Sequence, residues 1–213
     1  MRRWIGIGVF LLLGGAALVS AGAEATVGAA GAMGPQAMVQ QTGERLVTKL
    51  RKDHDELKAH PGRLYGLVSE LLVPHFDFET MSRYVLGRYW RTASPAQRDQ
   101  FVGEFRTLLV RTYATALLEY RDQTIRYLPF HGDLSSGDVT VRSEVVQPGG
   151  RSIPIDYSVD LRNGEWRVYD VTVDGVSLVT NYRGSFASEI QTGGLDKLLD
   201  KLKQRNQQLS QAK

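Results

Sequence analysis

Cysteine is absent from the 213 residues, so the chain has no disulfide, no lipid-modified cysteine and no thiol nucleophile, and its core must hold it together by packing alone. Long hydrophobic runs are nearly as scarce. The one that exists, Trp4 to Val19, follows Met1-Arg2-Arg3 and precedes the small-residue stretch Ser20-Ala21-Gly22-Ala23-Glu24-Ala25. That is the layout of a secretory signal peptide, and the run is shorter than the ~20 apolar residues of a membrane span. Residues 1–25 are therefore expected to be a signal peptide cleaved near Ala23 or Ala25. Charge of one sign is also lacking. The formal net charge of +3 falls to +1 once Arg2 and Arg3 leave, and the cations are dispersed rather than gathered into a basic stretch interleaved with aromatics. Nucleic acid is not expected as a partner.

Motifs that carry chemistry are missing too. The histidines His54, His60, His75 and His131 lack the close paired spacing of a metal site. There is no Gly-x-Ser-x-Gly elbow, phosphate loop or dinucleotide fingerprint. Asp170 and Asp174, with Asp156 and Asp160, could be imagined as paired carboxylates for general acid and base work, and His75 stands before an aromatic cluster. The structural reading is stronger: polar positions of an alternating strand face solvent, Asp174-Gly175 is turn chemistry, and such a histidine is more often a hydrogen-bonded structural residue. No metal or cofactor is expected.

What the chain does contain is apolar periodicity. Residues 26–41, rich in Ala, Gly and Gln, predict a flexible leading segment, with structure from near Thr42 and a single domain over 42–213. Leu46, Leu50 and Leu57 are spaced as on a helix before Pro61-Gly62, and Leu64, Leu67, Val68, Leu71 and Leu72 form a second stripe ending at Pro74. From Phe76 to Trp90, aromatics crowd around Gly87 and predict short helical turns lining something apolar. Ser94, Pro95 and Gln97 are a capping box with proline at the first helical position. They open a long helix whose apolar face runs from Phe101 through Phe105, Leu109, Tyr113 and Leu117 to Tyr120, with Arg98, Glu104, Arg111 and Arg121 on the wet side.

Beyond Asp122 the period becomes two. Val139 and Val141 alternate with polar residues, Pro148-Gly149-Gly150 turns the chain, and Ile153, Ile155, Tyr157, Val159 and Leu161 alternate strictly. Asn163-Gly164 reads as a tight hairpin. Trp166 and Val168 keep one parity while Tyr169, Val171 and Val173 take the other, so the strand either bulges near Tyr169 or is buried on both faces. Gly175 closes it, Val176, Leu178 and Val179 open a return segment, and Leu195, Leu198, Leu199 and Leu202 mark a C-terminal helix after Gly193-Gly194. The expected class is α+β: N-terminal helices and one long helix packed on a curved, mainly antiparallel sheet, with the concavity between them as the natural site. Periodicity alone leaves a solid core and an enclosed ligand cavity both open.

Several of these segments together resemble the MlaC family, periplasmic phospholipid-binding proteins of the maintenance-of-lipid-asymmetry pathway, also called the toluene-tolerance auxiliary family. They are Tyr84-Val-Leu-Gly-Arg-Tyr-Trp90, Ser94-Pro-Ala-Gln-Arg98 with Phe105-Arg106, Tyr113, Trp166-Arg-Val-Tyr-Asp170 and Gly175-Val-Ser-Leu178, and the likeness spans most of the chain beyond the signal. The resemblance implies a periplasmic carrier that moves phospholipid between an inner-membrane ABC transporter complex bearing an MCE-domain protein and an outer-membrane lipoprotein associated with a porin. It also implies no cofactor and no catalysis. By position, Tyr113, Ile153 and Val176 match places where the family lines its acyl-chain cavity; Ser152-Ile-Pro-Ile155 departs from the family's usual run.

On this reading Phe105, Leu109, Tyr113 and Leu117 of the helix face Ile153, Ile155, Tyr157, Val171 and Val173 of the sheet. Tyr84, Tyr89, Val176 and Leu178 surround the entrance, and the head group stays wet. Three alternatives remain: a homologue carrying a rigid polycyclic hopanoid lipid, a small α+β enzyme on a similar scaffold using Asp170, Asp174 or His75, and a structural adaptor whose apolar face docks a partner.

Overall fold

The computed structural model describes residues 33–119 and 122–211; the expected signal peptide lies outside them. The first helix, α1 (Pro35–Lys52), opens with Pro35 in its first turn and ends with Lys49, Arg51 and Lys52 against the negative end of the helix dipole. It starts well before Thr42, so the expected flexible segment over residues 26–41 is corrected from Pro35 onward. Tertiary burial is the reason: Met38 and Val39 are only 5% and 6% exposed and pack on Val139, Val141 and Val168 of the sheet. Leu57 sits in a separate short helix, α2 (His54–Ala59), and the second stripe forms α3 (Pro61–Leu71).

The aromatic segment is two short helices, α4 (Phe78–Leu86) and α5 (Arg88–Thr92), separated by Gly87 at φ +53°. Asp77 caps α4 by accepting the Thr80 N–H at 2.8 Å. The Ser94–Gln97 capping box starts α6 (Pro95–Ala114), which gives way to a 3₁₀ turn at Thr115–Glu119 instead of continuing to Tyr120.

Five antiparallel strands follow in sequential order: β1 (Thr124–Tyr127), β2 (Asp138–Val146), β3 (Ile153–Arg162), β4 (Glu165–Val173) and the two-residue β5 (Val176–Ser177). β1 was not anticipated, being too short to show a period. Asn163-Gly164 and Asp174-Gly175 each have positive φ at both residues, which tight hairpin turns require. The parity switch in β4 is a bulge: Ser158 opposes Asp170 while Val159 opposes Val168, leaving Tyr169 as the extra residue. Val168, Val171 and Val173 thereby share one face, and the Tyr169 ring packs on Tyr84 of α4, centroids 5.6 Å apart.

The return segment is helical. α7 (Leu178–Gln211) begins directly after β5 and is broken only at Gly194. Its first part buries Val179, Phe186 and Ile190 and its second Leu198, Leu199 and Leu202, in one cluster with α4 and α6. Glu104 and Arg111, expected on the wet side of α6, instead serve this interface. Asn206 Nδ2 donates to Glu104 Oε2 at 2.6 Å, and the Asn206 carbonyl accepts from Arg111.

Candidate functional site

The hydrophobic residues segregate into three clusters: one between α4, α6 and α7, one between the start of α1 and the sheet, and one among α1, α2, α3 and the end of α6. They do not fuse. Between them lies a cavity of about 330 Å³ to which all three contribute, for instance Met81 and Leu109, Val39 and Val168, Leu50 and Val68. That volume falls in the range of ligand pockets, about 300–1,000 Å³.

The sheet wall is set by register. Ile155 pairs with Val173 and Tyr157 with Val171 across β3 and β4, and the bulge turns both valines inward. Across the cavity stand Leu109, Tyr113 and Leu117, on α6 and the turn after it. Among the described residues, the polar side chains on the wall are Thr42, His75, Tyr113 and Tyr157, and no Asp, Glu, Lys or Arg reaches it. Tyr157 bonds Ser143, and burial pushes its phenol pKa up. Tyr182 meets Tyr113; burial chiefly, then that hydrogen bond, raises the Tyr182 phenol. Burial also holds the His75 imidazole below the usual histidine value, helped by Arg45 and Arg167 and opposed by Glu165. Tyr113 and Val173 line the cavity while remaining 39% and 38% exposed, so the wall reaches the surface at both residues.

Of the residues expected from sequence to form the site, Leu109, Tyr113, Leu117, Ile155, Tyr157, Val171, Val173 and Leu178 lie together on this wall. The other five lie elsewhere. Phe105, one turn before Leu109 on the same side of α6, is fully buried against Phe101, Tyr182 and Phe186 and does not reach the cavity, because the aromatic side chains of α7 cover it. Tyr84 packs at a tilt on Tyr169 outside the cavity, and Tyr89 lies under the Arg88 guanidinium, 4.9 Å from its ring centre. Ile153 pairs with Val145 at the start of β3, and Val176, 57% exposed, opens β5 opposite Val173. Sequence reasoning missed the α1 wall, from Met38 to Leu50, and Ile125 and Val145 from the far strands. A signal was present: Met38, Thr42, Leu46 and Leu50 recur every fourth residue.

The aspartates are committed elsewhere. Asp170 accepts from Ser177 Oγ at 2.5 Å and from the backbone N–H groups of Val171 and Val179, tying the bulge to the start of α7. Asp174 binds Arg151, Asp160 binds Arg162, and Asp156 stands opposite Thr172 in the sheet. None of the four lines the cavity, whereas His75 does.

Comparison with known proteins places these features in context. Residues 40–204 match the family described as MlaC protein. The toluene tolerance protein ttg2D of Pseudomonas putida is 31% identical over 169 residues, 78% of each chain. The intermembrane phospholipid transport system binding protein MlaC of Haemophilus influenzae is 26% identical over 210 residues, 96% of this chain and 93% of its own. The solved structure of a phospholipid-binding protein from Ralstonia solanacearum, in complex with a phospholipid, is similar with a TM-score of 0.77 and 34% identity, covering 84% of this chain and 99% of that one.

Proposed function

This chain belongs to the MlaC family, and from that premise we propose that it is a periplasmic phospholipid carrier, exported by a cleaved signal peptide and acting without catalysis or cofactor. It takes lipid between an inner-membrane ABC transporter complex bearing an MCE-domain protein and an outer-membrane lipoprotein associated with a porin, and so maintains outer-membrane lipid asymmetry.

The observation that carries this reading is the cavity, apolar over nearly its whole wall, free of charged side chains among the described residues and reaching the surface at Tyr113 and Val173. Such a wall suits acyl chains. Each methylene taken out of water gains ~0.8 kcal/mol, so leaving two long chains exposed in transit would cost on the order of 20 kcal/mol. A carrier need only match the bilayer, because a small difference between pocket and membrane permits handover both ways. Direction then comes from the partner complexes. The phospholipid held by the Ralstonia relative, a protein of closely similar fold, supports the same ligand class.

The test is native mass spectrometry of the protein purified from periplasm, followed by organic extraction and lipid identification. Stoichiometric phospholipid is expected in the parent. Tyr113→Glu sets a carboxylate against the acyl chains and is expected to empty the protein while its circular dichroism stays unchanged. A parent protein that carries no lipid would sink the carrier reading.

A further inference from the structure

Hydroxyl groups interrupt the apolar wall of the cavity, and one of them has no partner. Thr42 of α1 lines the cavity at 9% exposure, and its side chain makes no hydrogen bond among the described residues. A helical threonine commonly returns its hydroxyl to the carbonyl one turn back, as Thr107 of α6 does by donating to the Gly103 carbonyl at 2.9 Å. Thr42 does not, and its hydroxyl is left to the cavity. On the sheet wall, Tyr157 of β3 lines the same space and bonds Ser143 of β2. Ser143 is itself 1% exposed and reaches the Ile155 carbonyl only at 3.4 Å, long for a hydroxyl donor. Two hydroxyl hydrogens thus serve the bond between Tyr157 and Ser143 and one stretched contact, which leaves one of them ready for a better acceptor.

Successive neighbours link the two walls here. Gly43, next to Thr42, stands against the Tyr127 hydroxyl, Tyr127 lies opposite Ser143 across β1 and β2, and Ser143 bonds Tyr157. The hydroxyls are neutral, and no charged side chain lines the cavity among the described residues. A phosphodiester drawn in this far would be a buried charge without a cation. A bare hydrocarbon chain would leave the Thr42 hydroxyl unbonded. The group that matches is a neutral acceptor, and a diacyl lipid carries such acceptors where its chains join the glycerol: the ester carbonyls.

We propose that the Thr42 and Tyr157 hydroxyls donate to the ester carbonyls of the cargo lipid and so set the depth to which it enters, with the acyl chains in the cavity and the phosphate outside in water. This rests on the carrier reading and adds to it a site for the linkage between chain and glycerol. Thr42 supplies the hydrogen that has no other use. Tyr157 supplies a second when Ser143 turns its own hydrogen to the phenol oxygen.

Protein stripped of lipid is incubated with vesicles holding equal amounts of a diester phosphatidylglycerol and its diether analogue, matched in chain length and head group. The two lipids differ only in the carbonyl oxygens, and native mass spectrometry separates their complexes by mass. The parent is expected to load the diester about fivefold over the diether, the scale of a net neutral hydrogen bond. Thr42→Val, which exchanges the hydroxyl for a methyl group, and Tyr157→Phe are each expected to bring that ratio towards one, whereas Thr42→Ser is expected to keep most of it. A parent that loads both lipids equally, or a Thr42→Val variant with the parent's ratio, would overturn the assignment while leaving the carrier reading intact. A parent that loads neither would remove the carrier reading itself, and this proposal with it. The urea midpoint of lipid-free Thr42→Val is expected to equal or exceed the parent's, because a buried hydroxyl without a partner costs stability. A lower midpoint would give Thr42 a partner inside the protein and overturn the site in the same way.

Discussion

Gly43 shows how a single residue in this protein serves the cavity and not its own helix. It occupies the interior of α1, where glycine is about 1 kcal/mol worse than alanine. A Cβ at that position would run into the Tyr127 hydroxyl. Overpacking then outweighs propensity, and Gly43→Ala is expected to lose about 1 kcal/mol or more of stability. Gly66 in α3 is the contrast, because nothing lies within 4 Å of where its Cβ would stand. Gly66→Ala is expected to gain up to about 1 kcal/mol. The urea midpoints of the two variants should move in opposite directions; a Gly43→Ala protein stabilised like Gly66→Ala would mean that Tyr127 yields freely. Asp170 gives the same lesson from another side, since its carboxylate looked available for chemistry in the sequence and is occupied by three donors in the fold.

At the scale of elements, two irregularities give the domain its form. The bulge at Tyr169 lets β4 present Val168, Val171 and Val173 to the cavity in spite of their mixed parity. The parity change was visible in the sequence, but the choice between a bulge and a strand buried on both sides belongs to the pairing with β3. The second irregularity is Gly194, at φ +79° and ψ +169°, a conformation open essentially to glycine. It breaks α7 so that both parts can pack against the same cluster. Gly194→Ala is expected to cost about 1–3 kcal/mol, read as a lower thermal midpoint with unchanged far-ultraviolet dichroism. An unchanged midpoint would show that α7 can run straight. Gly193-Gly194 was legible as a boundary; the helix before it was not, although Tyr182, Phe186 and Ile190 recur every fourth residue.

For the molecule as a whole, all three clusters contribute residues to one cavity wall, so the empty protein lacks contacts that a filled one has. A ligand that binds only the folded state stabilises it by mass action, about 2.7 kcal/mol at a hundredfold excess over Kd. Organic extraction of lipid is therefore expected to lower the thermal midpoint, phospholipid vesicles to restore it, and Tyr113→Glu to show no lipid-dependent rise. A midpoint indifferent to lipid in the parent would separate the cavity from the cargo.

What depends on neighbours along the chain was legible in the residues: the capping box that starts α6, the two hairpin turns, the alternation of β3, the α+β class and the family likeness. The apolar pattern also placed residues of α6, β3 and β4 on one apolar wall, because a face of a helix or strand is a local periodicity. That α1 begins at Pro35, that Phe105 belongs to the core and not to the cavity, and that His75 reaches the cavity wall were settled by packing. Those outcomes are set by which surfaces bury one another across long separations in the chain, and a void is the place where such surfaces fail to meet, which no local pattern records.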